Sequence, residues 1–286
     1  MISMDNYSAV EPLEGKIEVL KKGYIEYYNS LREDEFHPQK IIISSDLLVI
    51  ENESLEKVIL LYSNKLIILK RVDNNILKNI LEYNDINYIV DEEISSSSCL
   101  TILYGTDREE RIFYDSKGYS IAKALLYDLR KLIVSKAAIL KGESKPNYKL
   151  SDLEQSSYIG ASIAKNAILD NSAIIGSLQQ KRVYNYSWWI LRKILTNTHV
   201  TIINENEVVV FIEKFNDKRK RNVSGDLFFI PIKALMSISI EATGKGMIMR
   251  YLFYSGRKFE LFYQNEKTDE LLKVMSFING ILSGKN

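Results

Sequence analysis

Cysteine, proline and histidine are scarce in this 286-residue sequence. It holds one cysteine, Cys99, four prolines and two histidines, His37 and His199. A single cysteine excludes an intrachain disulfide framework. The histidines are distant in sequence, and no His/Cys/carboxylate cluster shows metal-ligand spacing. No nucleophile elbow is present, and no acid, base and nucleophile converge in the pattern. Thirteen glycines with so few prolines exclude a linker or a fibrous chain. No uncharged apolar run approaches the ~18 residues of a membrane-spanning helix. Without an apolar leader, and with one cysteine, the sequence reads as cytosolic. The stretch "ATGKG" (242–246) lacks the order of a phosphate-binding loop and lies between two predicted strands, so it reads as a hairpin turn. No cofactor is implied.

Apolar residues make up 46% of the chain, ample for packed cores, and the length allows one large domain or two ordinary ones. The net charge of +1 hides a split. Residues 1–140 carry −6 and residues 141–286 carry +7. Such asymmetry arises where two halves attract, where the basic half meets an anionic partner, or by chance on solvated surfaces.

The hydrophobic pattern repeats at a spacing of 149 residues. Leu81, Tyr83, Ile86 and Ile89 fall on Ile230, Ile232, Leu235 and Ile238. Without a gap, Ile102-Leu103-Tyr104 then falls on Tyr251-Leu252-Phe253, and Ile112-Phe113-Tyr114 on Leu261-Phe262-Tyr263. Each copy opens with β-rich runs around an Asn-containing turn, "VILLYSNKLIILKR" (58–71) and "VTIINENEVVVFIEKF" (200–215). Each closes with an amphipathic stretch, 120–134 and 268–282, that predicts a helix. Pro231 lies within the apolar run "FFIPIKALMSISIE". It donates no backbone hydrogen bond, so its place should be a strand end, an edge or a bulge.

This order of elements resembles the bacterial pleckstrin-homology-like family. The run "LFFIPIKALMSISI", with a strand pair before it and two strands and a helix after it, carries the likeness. The segment from "ILEYNDINYIV" to "LRKLI" is similar but more divergent. The likeness spans roughly 55–135 and 197–283. It implies two tandem, partly open antiparallel β-barrels, each capped by a C-terminal α-helix, in an α+β fold, and it implies binding rather than catalysis. The expected divisions are a helical N-terminal segment (1–36), a first domain (37–141), a linker with short helices (142–195) and a second domain (196–286). An amphipathic stripe over 13–31 supports the N-terminal helix. The Gly-, Pro- and Ser-bearing run 142–157 supports the linker.

Two segments stand out as binding candidates. The second copy carries about seven extra residues in "KFNDKRKRN" (214–222), including Lys218, Arg219, Lys220 and Arg221 beside Lys214. Four adjacent cations create a focused positive field suited to an anionic surface. The likeness extends to this loop, since basic residues beside an early strand–strand loop hold lipid phosphates in eukaryotic relatives. The loop follows the second predicted strand here rather than the first. The other candidate is "KRVYNYSWW" (181–189), where Tyr184, Tyr186, Trp188 and Trp189 form the densest aromatic cluster. It suits an interfacial anchor, a stacking platform or a partner hot spot, and equally a packing role within the fold. The expectation is a non-catalytic adaptor that recognises a protein partner or an anionic membrane surface. The alternative is a nucleic-acid binder using the basic C-terminal half.

Overall fold

The computed structural model describes residues 24–25, 28–29, 38–43, 57–72, 75–93, 98–135, 159–169, 174–187, 191–214 and 224–284. Sixteen strands occur among them: β1 (Lys40–Ile43), β2 (Lys57–Leu61), β3 (Lys65–Val72), β4 (Asn75–Glu82), β5 (Ile86–Glu93), β6 (Ser98–Tyr104), β7 (Arg108–Tyr114), β8 (Ile174–Gln180), β9 (Val183–Ser187), β10 (Leu191–Thr196), β11 (His199–Asn204), β12 (Glu207–Glu213), β13 (Gly225–Pro231), β14 (Leu235–Thr243), β15 (Gly246–Phe253) and β16 (Lys258–Tyr263). Three α-helices accompany them: α1 (Tyr119–Ser135), α2 (Ile159–Asn166) and α3 (Thr268–Ser283). The chain divides into two compact units. The first holds residues 1–83, 95–100 and 112–132, and the second holds 84–94, 101–111 and 133–286.

In the first unit β1 to β4 form an antiparallel meander. β2 and β3 are almost continuous runs of Val, Ile and Leu, and nearly every one is buried. A strand apolar on both sides must be covered on both sides. Tyr24 and Tyr28 join Ile41, Val58, Leu60, Ile67 and Leu69 in one cluster. Arg71 lies 5.4 Å from the Tyr24 ring centroid, a cation–π contact. The Tyr83 hydroxyl donates to the carbonyls of Tyr62 and Lys65, at 2.5 and 2.9 Å, and so staples the β2–β3 turn.

In the second unit β11, β12 and β13 are consecutive antiparallel strands, with β8 added beyond β11. β13 also pairs with β5, through Leu227 with Asp91, Phe228 with Val90 and Phe229 with Ile89. Together with β6 and β7 this gives a seven-stranded order β7-β6-β5-β13-β12-β11-β8. β14, β15 and β16 form a separate meander. The core joins Val208, Val210, Ile230, Ile232, Tyr251, Phe253 and Tyr263 to the α3 stripe Leu271, Val274 and Ile278. The sequence periodicity of α3 therefore reports its buried face.

The expected α+β fold of two separate capped barrels is corrected. The described structure is mostly β, and its sheets are open. β5 belongs to the first copy of the pattern and β13 to the second, so one sheet draws on both copies. The physical reason is the edge of β13, whose outward backbone groups need partners and find them on β5. The expected helical linker is corrected as well. After α2 it contains β8, β9 and β10. β8 alternates buried and half-buried positions, but its buried residues are Ile174, Gly176, Leu178 and Gln180, a set too mixed to read as an apolar face. The expected N-terminal helical segment (1–36) falls mainly outside the described residues; the four that are described, Tyr24, Ile25, Tyr28 and Asn29, are helical, and a helical segment over 1–36 is not shown.

The 149-residue spacing nevertheless orders the elements. β4, β5, β6, β7 and α1 recur in succession as β13, β14, β15, β16 and α3. Pro231 ends β13, opposite Glu207, and lies beyond the three residues that pair with β5. Lys214 N–H donates to the Ser224 carbonyl and Ile232 N–H to the Asn206 carbonyl. These bonds set the ladder's alternation, so the nitrogen of Pro231 faces away from β12 and its missing N–H costs no ladder bond.

The free edge of β14 is closed by a side chain. Asn279 of α3 accepts from the Ile238 N–H at 3.3 Å and donates to the Ile238 carbonyl at 3.2 Å. The amide thus imitates a neighbouring strand. The residue 149 positions earlier is Arg130, and there β5 is bonded to β13 instead. Asn279→Ala should cost about 1–2 kcal/mol, because two backbone groups lose their partner. Urea unfolding will check this, with Asn279→Asp as the variant that keeps the acceptor and loses the donor.

Candidate functional site

Two hairpin turns, the Asn84–Asp85 connection and one 3-10 turn of the second unit meet around a shallow cleft of about 220 Å³. Its lining includes Asn84, Asp85, Asn87, Thr106, Tyr254 and Ser255. Each turn has a local cause. Gly105 (φ 55°) opens the β6–β7 turn, and Gly256 (φ 83°) sits in the β15–β16 turn. Both adopt the left-handed conformation that lacks a steric penalty only for glycine. Ile232–Ala234 form the 3-10 turn directly after Pro231.

Asn87 is the centre of this arrangement. It is buried, donates from Nδ2 to the Gly105 carbonyl at 2.6 Å and accepts at Oδ1 from the Ser255 hydroxyl at 2.8 Å. One amide therefore ties the β6–β7 turn to the β15–β16 turn. Arg257 adds a second tie, donating from Nε to the Thr106 carbonyl at 3.0 Å. The Arg108 guanidinium lies 4.7 Å from the Tyr104 ring centroid. Lys233 donates to the Asn84 side-chain oxygen at 3.2 Å across the 149-residue spacing. Tyr254 stands at the rim with 67% of its surface exposed, the highest among the large apolar side chains of the described residues.

The cleft offers amides, hydroxyls and a carboxylate beside an exposed tyrosine. Asn87 bonds the Gly105 carbonyl and the Ser255 hydroxyl, and the Asn84 side-chain oxygen accepts from Lys233, so these loops are tied together. Tyrosine and arginine at its rim are the residue types that anchor partner contacts. His199, by contrast, is a core residue. It is 1% exposed, and its Nδ1 lies 3.1 Å from the Asn197 carbonyl, so Nδ1 carries the proton. Its Nε2 has no hydrogen-bond partner, and its ring meets Tyr263 edge-on at 4.9 Å between centroids. Burial lowers its pKa to about 4, against a smaller upward pull from the Asn197 bond. Cys99 is buried in β6.

The residues singled out from the sequence fall elsewhere. Lys214 follows β12, forms an ion pair with Asp226 at 2.6 Å and donates to the Glu93 carbonyl at 2.6 Å. It clamps the end of the β5–β13 pair. Lys218, Arg219, Lys220 and Arg221 lie outside the described residues, as do Trp188 and Trp189. Tyr184 and Tyr186 lie in β9, opposite Ile194 and Arg192 of β10 in a two-stranded ribbon. The structure does not bring Lys214 and Tyr184 into the cleft. Sequence reading missed Asn87, Tyr254 and Arg257. The one available signal was the pair of turns "YGTDR" and "YSGRK" at equivalent places in the repeat.

Among the described residues no group of three or more His, Cys, Asp or Glu is placed to hold a metal ion, and no helix is long and apolar enough to cross a membrane. A scan against protein-family models finds no match, and a search of curated proteins finds none.

Proposed function

We propose that this chain is a non-catalytic binding protein, an adaptor, that recognises a protein partner through the cleft bordered by Tyr254. The observation that carries this reading is the exposed Tyr254 beside loops locked together by Asn87 and Arg257. A rigid aromatic anchor on a preformed surface loses little conformational freedom on binding, which is what a protein-recognition site needs. The cations near the cleft are already engaged with carbonyl and amide oxygens, and Lys214 is neutralised by Asp226. That distribution favours a protein over an anionic membrane.

Site-specific photo-crosslinking tests the proposal. A benzophenone amino acid at position 254 should yield discrete protein adducts in cells, and the same group at Lys245, in the distant β14–β15 turn, should not. Co-sedimentation with vesicles containing 30% phosphatidylserine supplies the competing outcome. Vesicle binding without adducts at position 254 would replace the protein reading with the membrane reading.

A further inference from the structure

We propose that the outer edge of β4, which no described strand covers, binds an extended, acidic segment of another protein, added antiparallel as a fifth strand to the β1–β4 meander. This surface is separate from the Tyr254 cleft and does not depend on it.

The repeat supplies the argument. β4 and β13 are equivalent at the 149-residue spacing, and each lies beside an antiparallel pair of strands that precedes it, β2–β3 and β11–β12. The outer edge of β13 is filled by β5. β4 ends its sheet, and no strand of the described residues pairs with its outer edge. Val72 and Asn75 pair across a two-residue connection, so the bonded pairs alternate from there through Lys70–Leu77 and Ile68–Asn79. Ile76, Lys78 and Ile80 therefore turn their N–H and C=O groups outward. Counted back by 149, Lys78 and Ile80 are the counterparts of Leu227 and Phe229, the residues that face Asp91 and Ile89. The edge is also apolar where an ordinary edge would be guarded: Leu77 is 51% and Ile80 41% exposed.

β5 shows the chemistry of the occupant. Its bonded segment runs Ile89-Val90-Asp91 and continues into Glu92-Glu93. In the same register on β4, isoleucine would face Ile80 and aspartate would face Lys78. An apolar pair and an opposite-charge pair across strands are each favourable. Lys78 is the charged residue in the middle of the outer edge, so it favours an acidic strand over a basic one. β14, the repeat counterpart of β5, is a poor occupant in a second copy of the chain, because Asn279 already covers its edge at Ile238.

The probe is a fluorescein-labelled peptide with the sequence of β5, INYIVDEE, titrated into the full chain and followed by anisotropy. Saturable binding is expected, weakened several-fold between 50 and 300 mM NaCl. Ile80→Pro removes an outward N–H without removing a β3–β4 bond and should reduce affinity at least tenfold. Lys78→Glu, on the exposed edge, should do the same by charge and decides the matter if the proline variant does not fold. The peptide INYIVKKK should not bind, and Tyr254→Ala should leave binding of INYIVDEE unchanged. No saturable binding of INYIVDEE overturns the proposal, as does binding that survives Ile80→Pro in a folded protein and Lys78→Glu alike. A dimer seen by sedimentation that Lys78→Glu converts to monomer also overturns it, since a second copy would then be the occupant. Loss of peptide binding in Tyr254→Ala would merge the two surfaces and overturn their independence.

Discussion

Between pH 7 and pH 4.5 the protein should lose about 2 kcal/mol of stability to one side chain, His199. The imidazole is buried, with Nε2 unpartnered and the Tyr263 ring against it. Protonating it in place would bury a charge without a partner. Its pKa is therefore about 4 in the folded chain, against an ordinary value of 6.5 once unfolded. Between those values the unfolded state binds a proton that the folded state refuses. Stability is full above pH 6.5, falls as the pH drops toward 4 and gains no further slope from this group below that. Urea unfolding at half-unit steps will trace the loss. His199→Phe should flatten the segment between pH 6.5 and 5, where ordinary carboxylates contribute little, whatever its effect on absolute stability. An unchanged slope in His199→Phe would refute the assignment.

Tyr263→Ala should destabilise the protein by about 4 kcal/mol, near the upper end for a large buried ring. Tyr263 belongs to the core that α3 covers, and its surface is fully buried. Its hydroxyl lies 3.0 Å from the Thr201 hydroxyl. Deleting the ring opens a cavity and leaves Thr201 unpaired in the interior. Tyr263→Phe keeps the ring and should cost only about 1 kcal/mol. Guanidinium denaturation of both variants separates packing from hydrogen bonding. The alanine variant should also show a weaker pH slope, since water entering beside His199 stabilises the imidazolium. The two sites are in contact, so their effects will not add.

The repeat, the strands over 58–71 and 200–215 and both terminal helices were legible in the sequence because each buries a regular apolar set. Leu271, Val274 and Ile278 of α3 are such a set. The strands of 174–196 were not legible. In β8 the inward positions hold glycine and glutamine, and Gly176 is buried where a methyl group would sit only 3.5 Å from Val274. The pairing of β5 with β13 was illegible for a different reason. Hydrophobic rhythm tells which face of a strand is buried, while edge pairing is made by backbone groups that every sequence shares. The candidate site was hidden for a related reason. Asn87 works through two hydrogen bonds to turns distant in sequence, and nothing local marks an asparagine for that role. The cationic run 218–221 was the loudest signal, and it lies outside the described residues, while its neighbour Lys214 is an internal clamp.

The clamp bears on how the chain is made. Glu93 and Asp226, joined through a backbone N–H, are 133 residues apart. At about 5–20 residues per second, a ribosome needs roughly 7–27 seconds to supply the second after the first. Throughout that interval β5 has been synthesised and its bonding partner has not. The N-terminal copy therefore leaves the exit tunnel with an apolar edge, "INYIV", that in the folded chain the C-terminal copy covers. Closing so long a loop also slows folding itself, since the chain must be gathered before the pairing rewards it. A truncated product ending before β13 would carry that edge permanently and should be drawn into aggregates or held by chaperones, although most of its own core is complete.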